Sequence, residues 1–262
     1  MRARFYYAAL HPTARALAEE MEQSIMEIAI AFGHSFLVKS IGMDEAPRVL
    51  EEENAVLMLL GANEAEAEGL LGCYANKRTF IFERQEQRRC DVYSPVSKDE
   101  DVQQLLFDYA ARNLLPPPII SEADGAERVQ KIIQSPETVE RSVCGYTAGI
   151  YVKAAALAMM QSEKLTFDTL IGSDRPVYSI PPFALNLYAL YFALSEALNT
   201  VLNLKREANC LQTTVQNVRS AGWRTEPTGD ENMQVGSVQE ICTLINEQLS
   251  LVGEMMNRDM IR

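Results

Sequence analysis

The run Ala55-Val56-Leu57-Met58-Leu59-Leu60, closed by Gly61, decides how this chain is read. Six consecutive apolar residues form a continuous run flanked by helical stretches. They have the length and pattern of a strand buried on both faces, as strands are in a parallel sheet covered by helices. Upstream, Arg4 to Leu10 reads as a short strand of aromatic and small residues. His11-Pro12-Thr13 then opens a helix, because a proline in the first turn forfeits only an N–H that has no partner there anyway. Leu17, Met21, Ile25, Ile28 and Phe32 recur at helical spacing, and Gly33 stops the run. Ser35 to Ile41 alternates like a strand, and a short acidic helix covers about Asp44 to Glu53. Thr79 to Phe82 adds a further short strand. Strand, helix, strand, helix and strand within the first 85 residues predict βαβ crossovers and an α/β fold.

The middle of the chain is less regular. A helix from about Asp99 to Asn113 runs toward Pro116-Pro117-Pro118, which cannot continue it. Ser121 to Gly125 reads as a turn, Ala126 to Gln134 as a short helix, and Val143 to Tyr151 as extended. Ala154 to Gln161 reads as helix and Phe167 to Ile171 as strand. Pro176, Pro181 and Pro182 then lead to a nearly continuous apolar stretch, Phe183 to Leu204. Asn186, Ser195, Glu196, Asn199 and Asn203 interrupt it, and a charge in mid-span is costly in lipid. It therefore reads as a buried helix, in the core or at a subunit interface. Glu207 to Ser220 and Val238 to Met256 complete a helical C-terminal third.

Composition narrows the function classes. The chain has 262 residues, 47% of them hydrophobic, and carries 24 basic against 36 acidic side chains, a net charge of -12. A nucleic-acid partner is not expected, because phosphate binding needs a clustered positive surface. The densest basic group, Lys77, Arg78, Arg84, Arg88 and Arg89, is diluted by Glu83 and Glu86 and reads as a solvated strand end. The five cysteines (Cys73, Cys90, Cys144, Cys210 and Cys242) are scattered, and the only histidines are His11 and His34. That excludes a closed Cys/His zinc site. With no apolar leader after Met1 and unpaired thiols, the expected location is the cytoplasm, away from any membrane.

The residues supply little chemistry on their own. The chain contains no Gly-x-Gly-x-x-Gly, no Walker-type Gly-Lys-Ser/Thr loop and no Gly-x-Ser-x-Gly elbow. The acidic groups Glu51 to Glu53 and Glu64, Glu66 and Glu68 have the spacing of solvated faces, so no metal ligands are nominated. His11 sits at a strand-to-helix junction, where ligands often bind in open α/β sheets but where local capping is the commoner role. His34, after a helix-ending glycine, is expected to be exposed. Two junction segments are polar: Tyr74-Ala75-Asn76-Lys77-Arg78 and Thr147-Ala148-Gly149-Ile150-Tyr151. An arginine can clamp a carboxylate and a tyrosine can move a proton. The plainer alternatives are a surface arginine and a half-buried core tyrosine.

In chain order these segments resemble the isocitrate/isopropylmalate dehydrogenase family, metal-dependent β-decarboxylating enzymes that pass a hydride to NAD or NADP. The opening from Pro12 to Ala62 is similar, with its Ala-Phe-Gly-His-Ser-Phe and AVLMLLGA stretches. Gly72 to Arg78 resembles the family's Leu-Tyr-Ala-Asn-x-Arg-Pro, with Thr79 where proline is usual. Thr147 to Tyr151 resembles Thr-Gly-Gly-Ile-Tyr, and Phe167 to Ile171 resembles Phe-Asp-Val-Ile-Val. Val215 to Thr225 (VQNVRSAGWRT) is similar to the family's helix ending in Glu-Gly-Tyr-Arg-Thr, and Val235 to Val238 to its Gly-Thr-Ser turn.

The resemblance implies a three-layer α/β fold with a mostly parallel twisted sheet flanked by helices. It implies a large domain of residues 1–95 and 183–262, and a reduced second domain of residues 96–182. By the same correspondence Arg78 and Asn76 would bind substrate, Tyr151 would act in proton transfer and Asn186 would touch the cofactor. The partners implied are a second copy in a homodimer or a full-length homologue.

The departures weigh against the family reaction. Ala8-Ala9-Leu10-His11 replaces a Gly-Asp-Gly-Ile-Gly opening. Glu68 and Cys144 fall where substrate arginines belong, and a metal-binding aspartate would fall near Ala154. Asp174 is followed by Arg-Pro-Val-Tyr instead of a second aspartate, and no His-Gly-Ser-Ala-Pro loop is present. The segment that would carry the catalytic lysine is missing, and Lys153 lies too near Tyr151 to replace it. The reaction needs a divalent ion to stabilise an enolate and several cations to orient a dicarboxylate. A noncatalytic relative is expected. NAD or NADP with magnesium is expected only if activity survives.

Overall fold

The apolar run is strand β3 (Ala55–Leu60), and all six of its residues are buried. It pairs in parallel with β1 (Arg2–Ala9), Arg4 opposite Ala55 and Tyr7 opposite Met58. On the other side of β1 runs β2 (Ser35–Ser40), also parallel. The computed structural model describes residues 1–63, 74–82, 89–135, 141–159, 165–172, 175–225 and 233–258. The protein is α/β, with a mixed, mostly parallel sheet flanked by helices. The chain folds as two units, Met1–Ala62 with Leu185–Arg262, and Asn63–Ala184.

In the first unit, helix α1 (Pro12–Phe32) starts with Pro12 in its first turn. His11 caps it, accepting from the Thr13 N–H, and Gly33 ends it in the left-handed conformation at φ 69°. A short helix α2 (Ala46–Leu50) precedes β3. The C-terminal part adds α6 (Leu187–Thr200), α7 (Lys205–Ser220) and α8 (Val238–Arg258). The small parallel pair β9 (Trp223–Arg224) and β10 (Gln234–Val235) lies between the last two helices. Ser24 of α1 donates to Asn246 of α8 at 2.6 Å. Further along the same two helices, a Cβ on Gly253 would lie 3.0 Å from that of Ala31. The apolar stretch at 183–204 supplies core: Leu187 to Ser195, Ala197 and Leu198 of α6 are all buried. Among the described residues no helix is long and apolar enough to cross a membrane.

In the second unit the strands are β4 (Tyr74–Phe82), β5 (Arg89–Pro95), β6 (Arg141–Val143), β7 (Thr166–Gly172) and β8 (Val177–Ile180). They lie in the order β8-β7-β4-β5-β6. All neighbours are antiparallel except β5 and β6. The helices are α3 (Glu100–Arg112), α4 (Glu122–Gln134) and α5 (Tyr146–Met159). Leu106 and Ala110 of α3 pack with Tyr93 and Val143. Ile132 of α4 and Ala148, Val152 and Ala156 of α5 pack with Cys90 and Val92. Tyr93 and Val92 are adjacent in β5 and point to opposite faces, so helices cover this sheet on both sides.

Several expectations need correction. Residues 74–82 and 89–95, assigned from sequence to the first domain, pack within the second unit. The strand expected at Thr79–Phe82 begins at Tyr74, and its neighbours β5 and β7 are antiparallel, so the βαβ pattern stops at β3. Residues 146–151 are helical, not extended. The alanines from Ala154 to Ala158 favour propagation back through the Thr-Ala-Gly-Ile-Tyr segment. Gly149 lets that helix sit against β5, since a Cβ there would lie 2.6 Å from the Ser94 Cβ. Ser121 is not in a turn but caps α4 in a capping box with Asp124. His34 is largely buried, its Nε2 2.7 Å from Glu207 Oε1.

Candidate functional site

Two polar rows cross the second unit's sheet, one on each face. Arg78 of β4 lies opposite Tyr93 of β5 and Thr169 of β7, so the three share the face covered by α3. The Arg78 side chain is 12% exposed, its Nε is 3.9 Å from Asp91 Oδ1, and its Nη2 donates to Thr169 Oγ1 at 3.4 Å. Burial raises the Tyr93 phenol above its ordinary pKa, and the Arg78 charge opposes that shift. This corrects the reading of Lys77 and Arg78 as a solvated strand end: Lys77 is 5% exposed. Arg84 and Arg88 lie outside the described residues.

On the opposite face, Thr79 donates to Asp168 Oδ1 at 2.6 Å, and Lys153 of α5 reaches Asp168 Oδ2 at 3.4 Å. The ion pair ties α5 to β7, with side-chain exposures of 20% for Lys153 and 12% for Asp168. A carboxylate enclosed in an apolar strand needs polar partners in place of its lost water, and Lys153 and Thr79 supply them here.

Within the second unit, Arg78 and Tyr151 lie on opposite faces of the sheet. Tyr151 lies on α5, against the face opposite Arg78, and is 59% exposed while its neighbour Val152 is buried. Neither plainer alternative holds, since the arginine is largely enclosed and the tyrosine exposed. Asn76 lies in β4 opposite Pro95 and Ile171, and its side chain is outside the described residues. Asn186 caps α6, its Oδ1 accepting from the Ala189 N–H at 2.9 Å. His11 is likewise a cap, its Nδ1 2.8 Å from Thr13 Oγ1. Glu68 and Asp174 lie outside the described residues.

Asp91, Tyr93, Lys153 and Asp168 were not singled out as site residues from sequence. The available signal was an aspartate within each of two otherwise buried strands, which demands a cationic partner. As metal ligands these residues fit poorly, because Asp168 is already shared by an ammonium and a hydroxyl. Among the described residues no three His, Cys, Asp or Glu side chains are grouped as a metal site requires. The thiols are equally committed to packing: burial pushes Cys90 and Cys144 up to about 12.

No family model matches the sequence, and no curated protein matches it. Solved structures do. The crystal structure of isocitrate dehydrogenase from Methylococcus capsulatus superposes with a TM-score of 0.67 at 13% identity, over 95% of this chain and 99% of the other. The apo β-decarboxylating dehydrogenase from Thermococcus kodakarensis gives 0.72 at 9% identity, over 99% of each chain. At such identity the likeness is one of fold, and the chain has the fold of these β-decarboxylating dehydrogenases over nearly its whole length.

Proposed function

We propose that this chain is a divergent, noncatalytic homologue of the isocitrate and isopropylmalate dehydrogenases, acting in the cytoplasm as a binding, regulatory or structural protein. The observation that carries this reading is the separation of Arg78 from Tyr151. One is enclosed beside Asp91 under α3, and the other points to solvent from α5. A proton-transfer group and a carboxylate clamp work together only when both reach one substrate, within hydrogen-bond distance. Moreover, a substrate carboxylate would have to compete with Asp91 for the guanidinium.

Calorimetric titration with NAD and NADP, with magnesium and with isocitrate or isopropylmalate, tests the reading, alongside an assay for reduced nicotinamide. The expected result is neither heat nor reduction. Turnover with either substrate overturns it and sends the nominated residues back for reassignment.

The second reading is an NAD(P)-dependent oxidoreductase acting on a small 2-hydroxy acid such as isopropylmalate. The near full-length likeness to solved dehydrogenases favours it, and the same titration decides between the two. A homodimer, or a pairing with a full-length homologue, belongs to the first reading. The buried helix α6 does not offer a surface for either contact. Light scattering at micromolar concentration tests the homodimer, for which a clean monomer is the adverse result.

A further inference from the structure

An open groove of about 310 Å³ lies in the second unit between the Pro116-Pro117-Pro118 segment and helix α4, and it reaches β6. The prolines form a stiff wall because their φ angles are fixed. That wall is pinned to the sheet: the Ile119 N–H donates to the Val143 carbonyl, and the Gly145 N–H to the Ile119 carbonyl, both at 2.6 Å. Opposite it stand three cations, Arg128, Lys131 and Arg141.

The charges in this groove are unevenly compensated. Glu127 is paired with Lys131 at 2.8 Å. Asp124 is held by the hydroxyl of Ser121 at 2.6 Å as part of the helix cap. Arg128, by contrast, is fixed by neutral acceptors. Its Nε donates to Ser142 Oγ at 3.0 Å and its Nη2 to the Arg141 carbonyl at 3.1 Å. Ser142 is itself buried, at 2% exposure, so the guanidinium is anchored on the sheet with further N–H donors left over. Among the described residues neither Arg128 nor Arg141 has a carboxylate within ion-pair distance. In a chain of net charge -12 acidic side chains are plentiful, yet the two that line this groove, Asp124 and Glu127, are engaged by Ser121 and Lys131.

We propose that this groove is a binding site for a small ligand bearing a carboxylate or phosphate group. Arg128 receives the oxyanion through its unused N–H groups, and Arg141 and Lys131 close over it from the rim. A planar guanidinium already held in one orientation loses little freedom on binding, and its remaining donors match two oxygens of such a group. The inference uses none of Arg78, Asn76, Tyr151 or Asn186, so it stands or falls apart from the function proposed above.

The test is a nuclear magnetic resonance titration of the full chain. The side-chain Nε–H signal of Arg128 is followed against inorganic phosphate and, separately, malonate, with chloride holding ionic strength constant because exposed charges are screened by salt. A saturable shift with either probe is expected, and the tighter probe identifies the preferred oxyanion. Calorimetry on Arg128→Gln is expected to show binding weakened about tenfold or more, the loss of a charge-assisted pair. If that variant does not fold, Arg141→Gln with Lys131→Gln takes its place, since both side chains are exposed. No saturable shift with either probe, or unchanged affinity in the folded variants, overturns the proposal.

Discussion

The two units bury different things in their sheets. In the first, β1 and β3 meet through hydrocarbon: Phe5, Val56, Leu57, Met58, Leu59 and Leu60 are each 1% exposed or less. In the second, Lys77, Thr79, Asp91, Asp168 and Thr169 occupy buried strand positions. The strands of the first unit are therefore held by area removed from water, which is non-directional and tolerant of shape-conserving change. The second depends on particular pairs, and each pair is costly when halved. Charged side chains of the second unit are thus enclosed with partners of opposite charge, Lys153 with Asp168 and Arg78 beside Asp91.

The largest effect is expected from Leu57→Ala, at about 3 kcal/mol of lost stability, since the cavity opens in a strand buried on both faces. Urea denaturation measures it, and a loss too small to resolve would mean that β3 is not the keystone of the first unit. Next comes Asp168→Ala, at about 2 kcal/mol, because Lys153 and Thr79 lose their shared acceptor while the ammonium keeps some access to water. Adding Lys153→Met should return part of that loss. A double variant as unstable as the sum of the singles would show that the pair does not interact.

The smallest effect concerns the thiols and should appear in both units. Burial raises Cys90 and Cys144 to about 12, and Cys210 and Cys242 to about 11, from 9.0. A group whose folded pKa is raised stabilises fully below its unfolded value and loses that contribution as pH climbs through the folded one. Stability should therefore hold up to pH 9.0 and decline from there toward 11 and 12. In a Cys73→Ser background, Ellman's reagent should leave the native protein unlabelled at neutral pH and label it after unfolding. Rapid native labelling would mean that these cores open.

Legibility followed the same division. The first unit could be read because each decision was local: apolar runs, a proline at a helix start, a glycine at its end. His11, Pro12 and Gly33 stand where those rules place them. In the second unit the helices Glu100–Arg112 and Glu122–Gln134 and the strand Thr166–Gly172 could be read in the same way, but its polar pairs could not, because they join distant residues. Thr79 and Asp168 are 89 positions apart in the chain, and no window of neighbouring residues contains both. The segment from Tyr146 to Tyr151 misled for a related reason. Its threonine, isoleucine and tyrosine favour strands, and the close approach of Gly149 to Ser94 is invisible until β5 is in place. Arg78 and Tyr151 were each plausible alone, and only the alternation of faces across the sheet separates them.

The path of the chain has a consequence for synthesis. The first unit needs both Met1–Ala62 and Leu185–Arg262, whereas the second is one uninterrupted stretch between them. On the ribosome, α1 emerges early but waits for α8, whose Asn246 meets Ser24 across 222 positions of sequence. Closing so long a loop is slow. The nascent chain must therefore carry the apolar β1 and β3 in an unfinished unit while the second unit is completed, and apolar surface exposed for that time favours aggregation.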